Sequence, residues 1–259
     1  MNAPLIIAHR GASAAAPENT LAAFRRATEC GAEGVEFDVR LAADGVPVVI
    51  HDATLERTAG RREAVSQLTS RELARADVGS WFNRARPKLA NDEFAGEGVP
   101  TLASVLDLLA GFDGRLYVEL KSEDADLRPL CRAVAGTLAD SPALERAIVK
   151  SFRLAAVPTM RVLLPDVRTA ALFAPVIETV VGKKRHILTV AREMGADELS
   201  LHRALATPRF AAEAGRAGMP VTVWTVDSPN YLTLGAKMGL KAIITNDPEK
   251  MLARRRGDI

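Results

Sequence analysis

Aromatic residues, cysteine and histidine are all scarce in this sequence. Of its 259 residues, 5% are aromatic, two are cysteines and four are histidines. Cys30 and Cys131 lie far apart, without the spacing of metal ligands, and they are interpreted as small core residues or free thiols of a reducing compartment. The absence of a cluster of cysteine and histidine also argues against a structural zinc site.

Excess charge and long apolar runs are missing as well. The net charge is only +2, which gives no electrostatic case for binding nucleic acid. No apolar stretch approaches the length of about 18 residues that is needed to cross a bilayer. The apolar run near the N-terminus is too short for a signal peptide and has no basic residues before it. We therefore expect a cytoplasmic protein without stable membrane association, whose oligomeric state the sequence leaves open.

Eight short apolar runs alternate with helical patterns along the chain. The runs are LIIA (5–8), GVEFDVRL (34–41), LYVELK (116–121), AIVKSF (147–152), RVLL (161–164), ELSL (198–201), VTVWTV (221–226) and AIIT (242–245). Strands that alternate with helices favour a parallel sheet, and eight such units in about 250 residues predict a closed α/β barrel of the (β/α)8 or TIM type. A doubly wound open sheet is the alternative.

Three of the helical patterns have clear ends. They begin at Asn19, Thr101 and Thr207, residue types that cap helix N-termini, and each stops at a glycine. The segment 166–197 contains two or more helical patches without a clear break, so the fifth and sixth units are the least defined.

One segment departs from the alternation of strand and helix. The run VPVVIHD (46–52) predicts an extra strand, joined to the second strand through the AADG turn at 42–45. Residues of about 53–98 then show no strand–helix alternation and are too many for an ordinary connection. We interpret them as a small insertion over one end of the barrel, within a single domain of residues 1–259.

Polar side chains stand at five of the predicted strand ends. They are His9 and Arg10 after the first strand, Glu36 and Asp38 on the second, His51 on the extra strand, Glu119 and Lys121 on the third, and Trp224 on the seventh. Because active sites of such barrels lie at the C-terminal ends of the strands, these side chains are expected to share one site.

The residue types in this set predict metal-assisted acid–base chemistry. Glu36 and Asp38 are two apart and project from the same face of their strand. Carboxylates that converge in a buried site are costly unless compensated, and a divalent cation such as Mg²⁺ or Ca²⁺ prefers oxygen ligands. His9 and His51 could act as general acid and base. The positive charges of Arg10 and Lys121 suit a phosphate.

The motifs HRGASAAAPENT, GVEFDVRLAADGVPVVIHD, VPTL, VELK, VWTVD and ITNDP occur in this order from about residue 5 to residue 250. In order and spacing they resemble the glycerophosphodiester phosphodiesterase family. The resemblance implies a TIM barrel that uses a divalent metal to hydrolyse glycerophosphodiesters to glycerol 3-phosphate and an alcohol.

The resemblance also implies a role for each residue of the site. It assigns His9 and His51 to catalysis, Glu36, Asp38 and Glu119 to the metal, Arg10 and Lys121 to the phosphate and Trp224 to the glycerol. Two positions depart from the usual pattern of the family. Asp227 stands where asparagine is frequent, and Asn246 stands where an acid is common.

Two other functions remain open from the residues alone. The first is a barrel lyase in which Lys121 forms a Schiff base. Glu119 argues against it, because a nearby carboxylate keeps a lysine protonated. The second is a non-catalytic barrel, against which the presence of both histidines and all three carboxylates argues.

Overall fold

The computed structural model describes residues 3–122, 126–175 and 185–258. Its strands are β1 (Leu5–His9), β2 (Gly34–Leu41), β3 (Pro47–Val49), β4 (Arg115–Leu120), β5 (Ala147–Ser151), β6 (Arg168–Phe173), β7 (Glu198–His202), β8 (Val221–Trp224) and β9 (Ala242–Thr245).

Eight of these strands form a closed parallel barrel. The order around the barrel is β1-β9-β8-β7-β6-β5-β4-β2, and β1 pairs with both β9 and β2, so the sheet has no open edge among these strands. The extra strand β3 runs antiparallel to β2 on its C-terminal half, as the turn at 42–45 predicts. The prediction of a TIM barrel is confirmed, and the alternative of a doubly wound open sheet is wrong.

Helices connect the barrel strands, and three further short α-helices lie within residues 53–98. In chain order the α-helices are α1 (Leu21–Glu29), α2 (Glu56–Ala59), α3 (Ser70–Leu73), α4 (Ser80–Ala85), α5 (Leu102–Leu108), α6 (Leu127–Ala139), α7 (Ala156–Leu163), α8 (Arg185–Glu193), α9 (Pro208–Arg216), α10 (Tyr231–Met238) and α11 (Pro248–Arg256). Thr101 and Thr207 cap α5 and α9 as predicted. The prediction that Asn19 caps α1 is wrong. Thr20 is the N-cap, and its hydroxyl accepts the hydrogen bond from the Ala23 amide.

The predicted fifth strand is also wrong. RVLL (161–164) forms the last turn of α7 and the residue after it, and the Val162 side chain is 82% exposed. The barrel strand is β6, Arg168–Phe173, in which every residue after Arg168 is buried. Both segments are short and apolar, and periodicity alone does not separate a strand from a helix of that length. The segment between β6 and α8, where the helical patches lacked a clear break, lies partly outside the described residues.

The strands divide the core between their two faces, because successive side chains point to opposite sides. Inside the barrel a small apolar group contains Ile7, Tyr117, Ile148, Ala170, Ala242 and Ile244. The outward residues pack under the helices, as Phe37 does edge-on against Phe24 of α1 with 5.6 Å between ring centroids. The apolar filling occupies the middle of the barrel and leaves the strand ends for polar groups.

The segment 53–98 contains only short helices and has a small apolar core of its own, formed with Val48 and Ile50. Phe82 of this segment stacks edge-on against Phe94, and both residues also pack against Ala22 and Ala23 of α1. The insertion is therefore fastened to the barrel beside the first strand–helix loop.

None of the helices in the described ranges is long and apolar enough to cross a membrane.

Gly11 lies where the chain turns from β1 towards α1. Its φ is +78°, and a Cβ atom there would lie 2.6 Å from the backbone carbon of Ala23. We expect Gly11→Ala to lower the free energy of unfolding by at least about 2 kcal/mol, because strain and a backbone collision add together. Gly45 is the matched control, with a φ of +77° and no atom within 4 Å of such a Cβ. Urea unfolding of both variants tests this, and equal losses would contradict it.

Candidate active site

The polar residues predicted at the strand ends meet at one mouth of the barrel. Parallel register places His9 of β1 opposite Glu36 of β2, and Asp38 of β2 opposite Glu119 of β4. Arg10 and Lys121 directly follow β1 and β4. The charged groups of neighbouring strands therefore lie at two adjacent levels of the barrel, one with His9 and Glu36 and the other with Asp38 and Glu119.

Three carboxylates form the centre of this mouth. One oxygen each from Glu36, Asp38 and Glu119 lies within 4.8 Å of the others, and all three side chains are buried. The donor set consists only of carboxylate oxygen, which Mg²⁺ and Ca²⁺ prefer. The predicted ligands are thus brought together, and their donor atoms fit a hard divalent cation.

Cationic side chains compensate these carboxylates. Lys121 Nζ lies 2.5 Å from Glu119 and 3.4 Å from Asp38, and Arg10 Nε lies 3.2 Å from Asp38. Lys150 Nζ lies 2.8 Å from Glu36 and 3.5 Å from Glu119. Three carboxylates are met by three cationic side chains.

Lys150 is a charged residue of the site that the strand-end motifs do not predict. It stands inside AIVKS of β5 and is only 2% exposed. A lysine within a fully buried strand is a signal in itself, since lysine is almost never buried without a partner. Its partners come from β2 and β4, which no local pattern in β5 reveals.

These contacts shift the pKa values of the charged groups. Burial by itself raises the pKa of the Asp38 carboxyl, but the charges of Arg10 and Lys121 outweigh it and hold that pKa well below its ordinary range. For Glu36, burial is likewise outweighed, mainly by Lys150, and its pKa is lowered. Burial lowers the pKa of the Lys121 and Lys150 ammonium groups, and the carboxylates reverse this and raise it. These shifts favour the charged forms of Glu36, Asp38, Lys121 and Lys150 at neutral pH.

The loop after β1 is bent around this cluster. Arg10 and Asn19 both have a φ of +57°, a left-handed conformation that side chains other than glycine rarely adopt. Asn19 Nδ2 donates to Asp38 Oδ2 over 3.0 Å, and the backbone amide of Asn19 donates to the Arg10 carbonyl. Asn19 thus supports a carboxylate of the site instead of capping the helix.

Both histidines are held through their Nδ1 atoms. His9 Nδ1 lies 2.7 Å from Asn246 Oδ1, and its Nε2 lies 3.8 Å from Glu36 Oε2. His51 Nδ1 donates to Asp52 Oδ1 over 2.7 Å. In each ring the hydrogen bond uses Nδ1, so Nε2 is the nitrogen that can exchange a proton with another group.

Arg57 of α2 connects two parts of the site. Its Nε donates to Asp52 over 2.6 Å, and its two Nη atoms donate to both oxygens of Glu18 over 2.7 and 3.0 Å. Glu18 in turn accepts from Arg10 Nη1 over 2.8 Å. One insertion residue therefore links the partner of His51 to the partner of Arg10.

An aromatic wall, formed by Phe152, His202 and Trp224, stands on the other side of the mouth. The Trp224 ring lies 5.6 Å from Phe152 and 5.3 Å from His202, both edge-on. Lys121 Nζ lies 5.6 Å from the Phe152 ring centroid. Trp224 is where the sequence predicts it, whereas Phe152 joins the site only through the closure of the barrel.

A cavity of about 260 Å³ opens beside Lys121. Its wall combines the β2–β3 turn and the insertion with the start of α6, through Arg40, Leu41, Ala42, Ala43, Ala53, Val65, Ser66, Ser122, Asp126 and Leu130.

Comparison with known proteins agrees with this geometry. Residues 9–250 match the Glycerophosphoryl diester phosphodiesterase family. The chain belongs to this family. It is therefore an enzyme of the phosphoric diester hydrolase class, which confirms the family and the activity predicted from the motifs.

Individual members of the family match along nearly their whole length. A glycerophosphodiester phosphodiesterase of Caldanaerobacter subterraneus subsp. tengcongensis is 32% identical over 248 residues, which cover 96% of each chain. Among solved structures, a phosphodiesterase of Oleispira antarctica in complex with the product sn-glycerol-3-phosphate has a TM-score of 0.87 at 25% identity, with 98% of this chain and 97% of that chain covered. The glycerophosphodiester phosphodiesterase of Agrobacterium tumefaciens has a TM-score of 0.78 at 28% identity, covering 96% and 99%.

The position of Arg57 generates a prediction for this phosphodiesterase. We expect Arg57→Leu to lower kcat/KM about 10- to 100-fold, the usual scale for losing an outer orienting group, because Arg57 holds Asp52 and Glu18, the partners of His51 and Arg10. Arg61→Leu is the matched control, because Arg61 is in the same segment and pairs with Glu63. Steady-state kinetics of both variants measure the difference. An Arg57→Leu enzyme as active as the Arg61→Leu control would contradict the prediction.

Proposed function

We propose that this enzyme hydrolyses glycerophosphodiesters to glycerol 3-phosphate and an alcohol, with a divalent cation and with histidine acid–base catalysis. The observation that carries the proposal is the meeting of three carboxylates and His9 at one barrel mouth. The glycerol 3-phosphate bound to the similar Oleispira antarctica phosphodiesterase supports the substrate class. The low net charge supports a small-molecule substrate over nucleic acid, and we also infer a cytoplasmic location.

Glu36, Asp38 and Glu119 would hold the divalent cation. When bound, such a cation neutralises charge on a phosphodiester and lowers the pKa of an attached hydroxyl group. Arg10, Lys121 and Lys150 face these carboxylates, so the ligands would not fully neutralise the charge of the cation. The remaining positive charge suits a phosphodiester anion. The oxygen donors suit either Mg²⁺ or Ca²⁺.

The two histidines would move the protons. Each has its Nδ1 engaged and its Nε2 available. In a first step, one histidine would take a proton from the glycerol hydroxyl next to the phosphorylated carbon while the other protonates the departing alcohol, which leaves a five-membered cyclic phosphate. In a second step, water would open the cyclic phosphate with the two histidine roles reversed, and glycerol 3-phosphate would be released. Arg10 and Lys121 would orient the phosphate by charge-assisted hydrogen bonds.

Trp224 would contact the glycerol moiety across the aromatic wall. The alcohol on the other side of the phosphate would reach the cavity beside Lys121, where the insertion contributes Ala53, Val65 and Ser66 to the wall. We infer that the insertion takes part in selecting this alcohol.

The Schiff-base alternative lacks support from the geometry. A nucleophilic lysine requires a lowered pKa. Burial lowers the pKa of the Lys121 ammonium, but Asp38 and Glu119 outweigh burial and raise it above its ordinary value. Lys121 therefore stays protonated, and its ammonium group is suited to binding an anion.

Metal removal tests the proposed function. After exhaustive dialysis against EDTA we expect turnover of glycerophosphocholine to be lost and to return with Mg²⁺ or Ca²⁺, as measured by a coupled assay for glycerol 3-phosphate. Glu36→Ala and Glu119→Ala should weaken the apparent affinity for the metal as well as the rate, because each removes a ligand. The exposed Glu63 provides the control, Glu63→Ala. Full activity in EDTA would contradict metal dependence, and no release of glycerol 3-phosphate from any diester would contradict the substrate class.

The histidines are tested by their own variants. We expect His9→Ala and His51→Ala each to lower kcat by about 10²- to 10⁴-fold while the protein stays folded, the scale for losing a general acid or base. His186→Ala is the control, since His186 is exposed at the start of α8. Rates would be compared at saturating substrate, with circular dichroism as the check of folding. A near wild-type rate in either variant would remove that histidine from the mechanism.

A further inference from the structure

A chain of hydrogen bonds leads from His9 to Asp227, which follows β8. His9 Nδ1 lies 2.7 Å from Asn246 Oδ1, and Asn246 Nδ2 donates to Asp227 Oδ2 over 2.8 Å. A carboxylate can only accept, so the Asp227 oxygen requires the NH₂ group of Asn246 to face it. The amide oxygen of Asn246 is thereby turned towards His9.

This orientation determines which nitrogen of His9 carries the proton. An amide oxygen has no proton to donate, so His9 Nδ1 must be the donor. In the neutral ring Nε2 then carries the lone pair. Nε2 is the nitrogen that lies 3.8 Å from Glu36 Oε2, at the acidic cluster.

Asp227 is itself held firmly. Its Oδ1 accepts from the Asn246 backbone amide over 2.8 Å and from the Thr245 hydroxyl over 3.0 Å. The Ser13 hydroxyl donates to Asn246 Oδ1 over 3.1 Å, so that oxygen accepts from both Ser13 and His9. Both oxygens of Asp227 and both polar side-chain atoms of Asn246 therefore have hydrogen-bond partners.

We propose that Asp227 is a positioning residue that acts through Asn246 to fix the tautomer and the orientation of His9. The proposal rests on the proposed catalytic role of His9. The pair needs one carboxylate and one amide, and the geometry does not require the carboxylate to stand at position 227. In the exchanged pair, Asp227→Asn with Asn246→Asp, the new amide can donate to the new carboxylate, and that carboxylate can accept from His9 Nδ1.

The exchange gives a double-variant test. Asp227→Asn removes the group that orients the amide, and we expect a fall in kcat of about 10- to 100-fold with little change in KM. Asn246→Asp places two carboxylates against each other, and we expect a loss at least as large. The double variant should recover to within about fivefold of the wild-type kcat, a non-additive result that only directly coupled residues give. The control is Asp113→Asn, an exposed residue before β4 at the opposite end of the barrel.

A spectroscopic measurement separates positioning from general stability. Long-range ¹H–¹⁵N correlation in protein labelled at its histidines reports the tautomer of each neutral ring, and His9→Ala assigns the His9 signal among four histidines. We expect His9 to carry its proton on Nδ1 in the wild-type enzyme and in the double variant. In Asp227→Asn the signal should show a mixture of tautomers. If Asn246→Asp does not fold, the kcat and the His9 tautomer of Asp227→Asn and of the double variant still test the role of Asp227.

The outcomes separate this proposal from the proposed function. Losses that simply multiply in the double variant, or an unchanged Nδ1–H tautomer in Asp227→Asn, would overturn the role of Asp227. Full activity of His9→Ala would instead overturn the catalytic role of His9. The tautomer of His9 in Asp227→Asn would still show whether Asp227 positions that ring.

Discussion

The compensation of charge in the barrel mouth is the constraint on which the rest of the site depends. Glu36 is fully buried, and Asp38 and Glu119 are nearly so, within 4.8 Å of one another. Buried carboxylates at this separation repel each other and lose their hydration, so an uncompensated cluster would oppose folding. Lys150, Lys121 and Arg10 supply the opposite charge from three other places in the chain. The three carboxylates can therefore be buried together in the mouth, where their oxygen atoms form a group that would suit a divalent cation.

Residues around this cluster orient the groups that would react. Asn19 supports Asp38, Arg57 joins the partners of Arg10 and His51, and Asn246 engages His9. These supporting residues come from loops and from the insertion, whereas the carboxylates come from strands. Rigid strands thus position the charged centre, and the loops set the direction of the hydrogen bonds. This division explains why an arginine in the insertion is expected to matter to the chemistry.

The prediction of the fold succeeded where the local pattern was strong. The alternation of apolar runs and helical segments predicted the closed barrel. The expectation that polar residues at the C-terminal ends of the strands share one site correctly predicted that Glu36, Asp38 and Glu119 lie together. RVLL (161–164) failed because four apolar residues fit a helix end as well as a strand. Asn19 failed as a cap for a related reason, since the neighbouring Thr20 can cap as well, and only the position of Asp38 decides between them.

The barrel, the order of the motifs and the residue types at the strand ends can be predicted from the amino-acid sequence, because apolar periodicity and motif residues are local properties. The partners of the site residues become known only from the folded chain: Lys150 beneath Glu36, Arg57 between Glu18 and Asp52, and Asp227 behind His9. The reason is physical, because the field and the hydrogen bonds that a side chain receives depend on distances in space. Barrel closure sets those distances between residues that are remote in sequence.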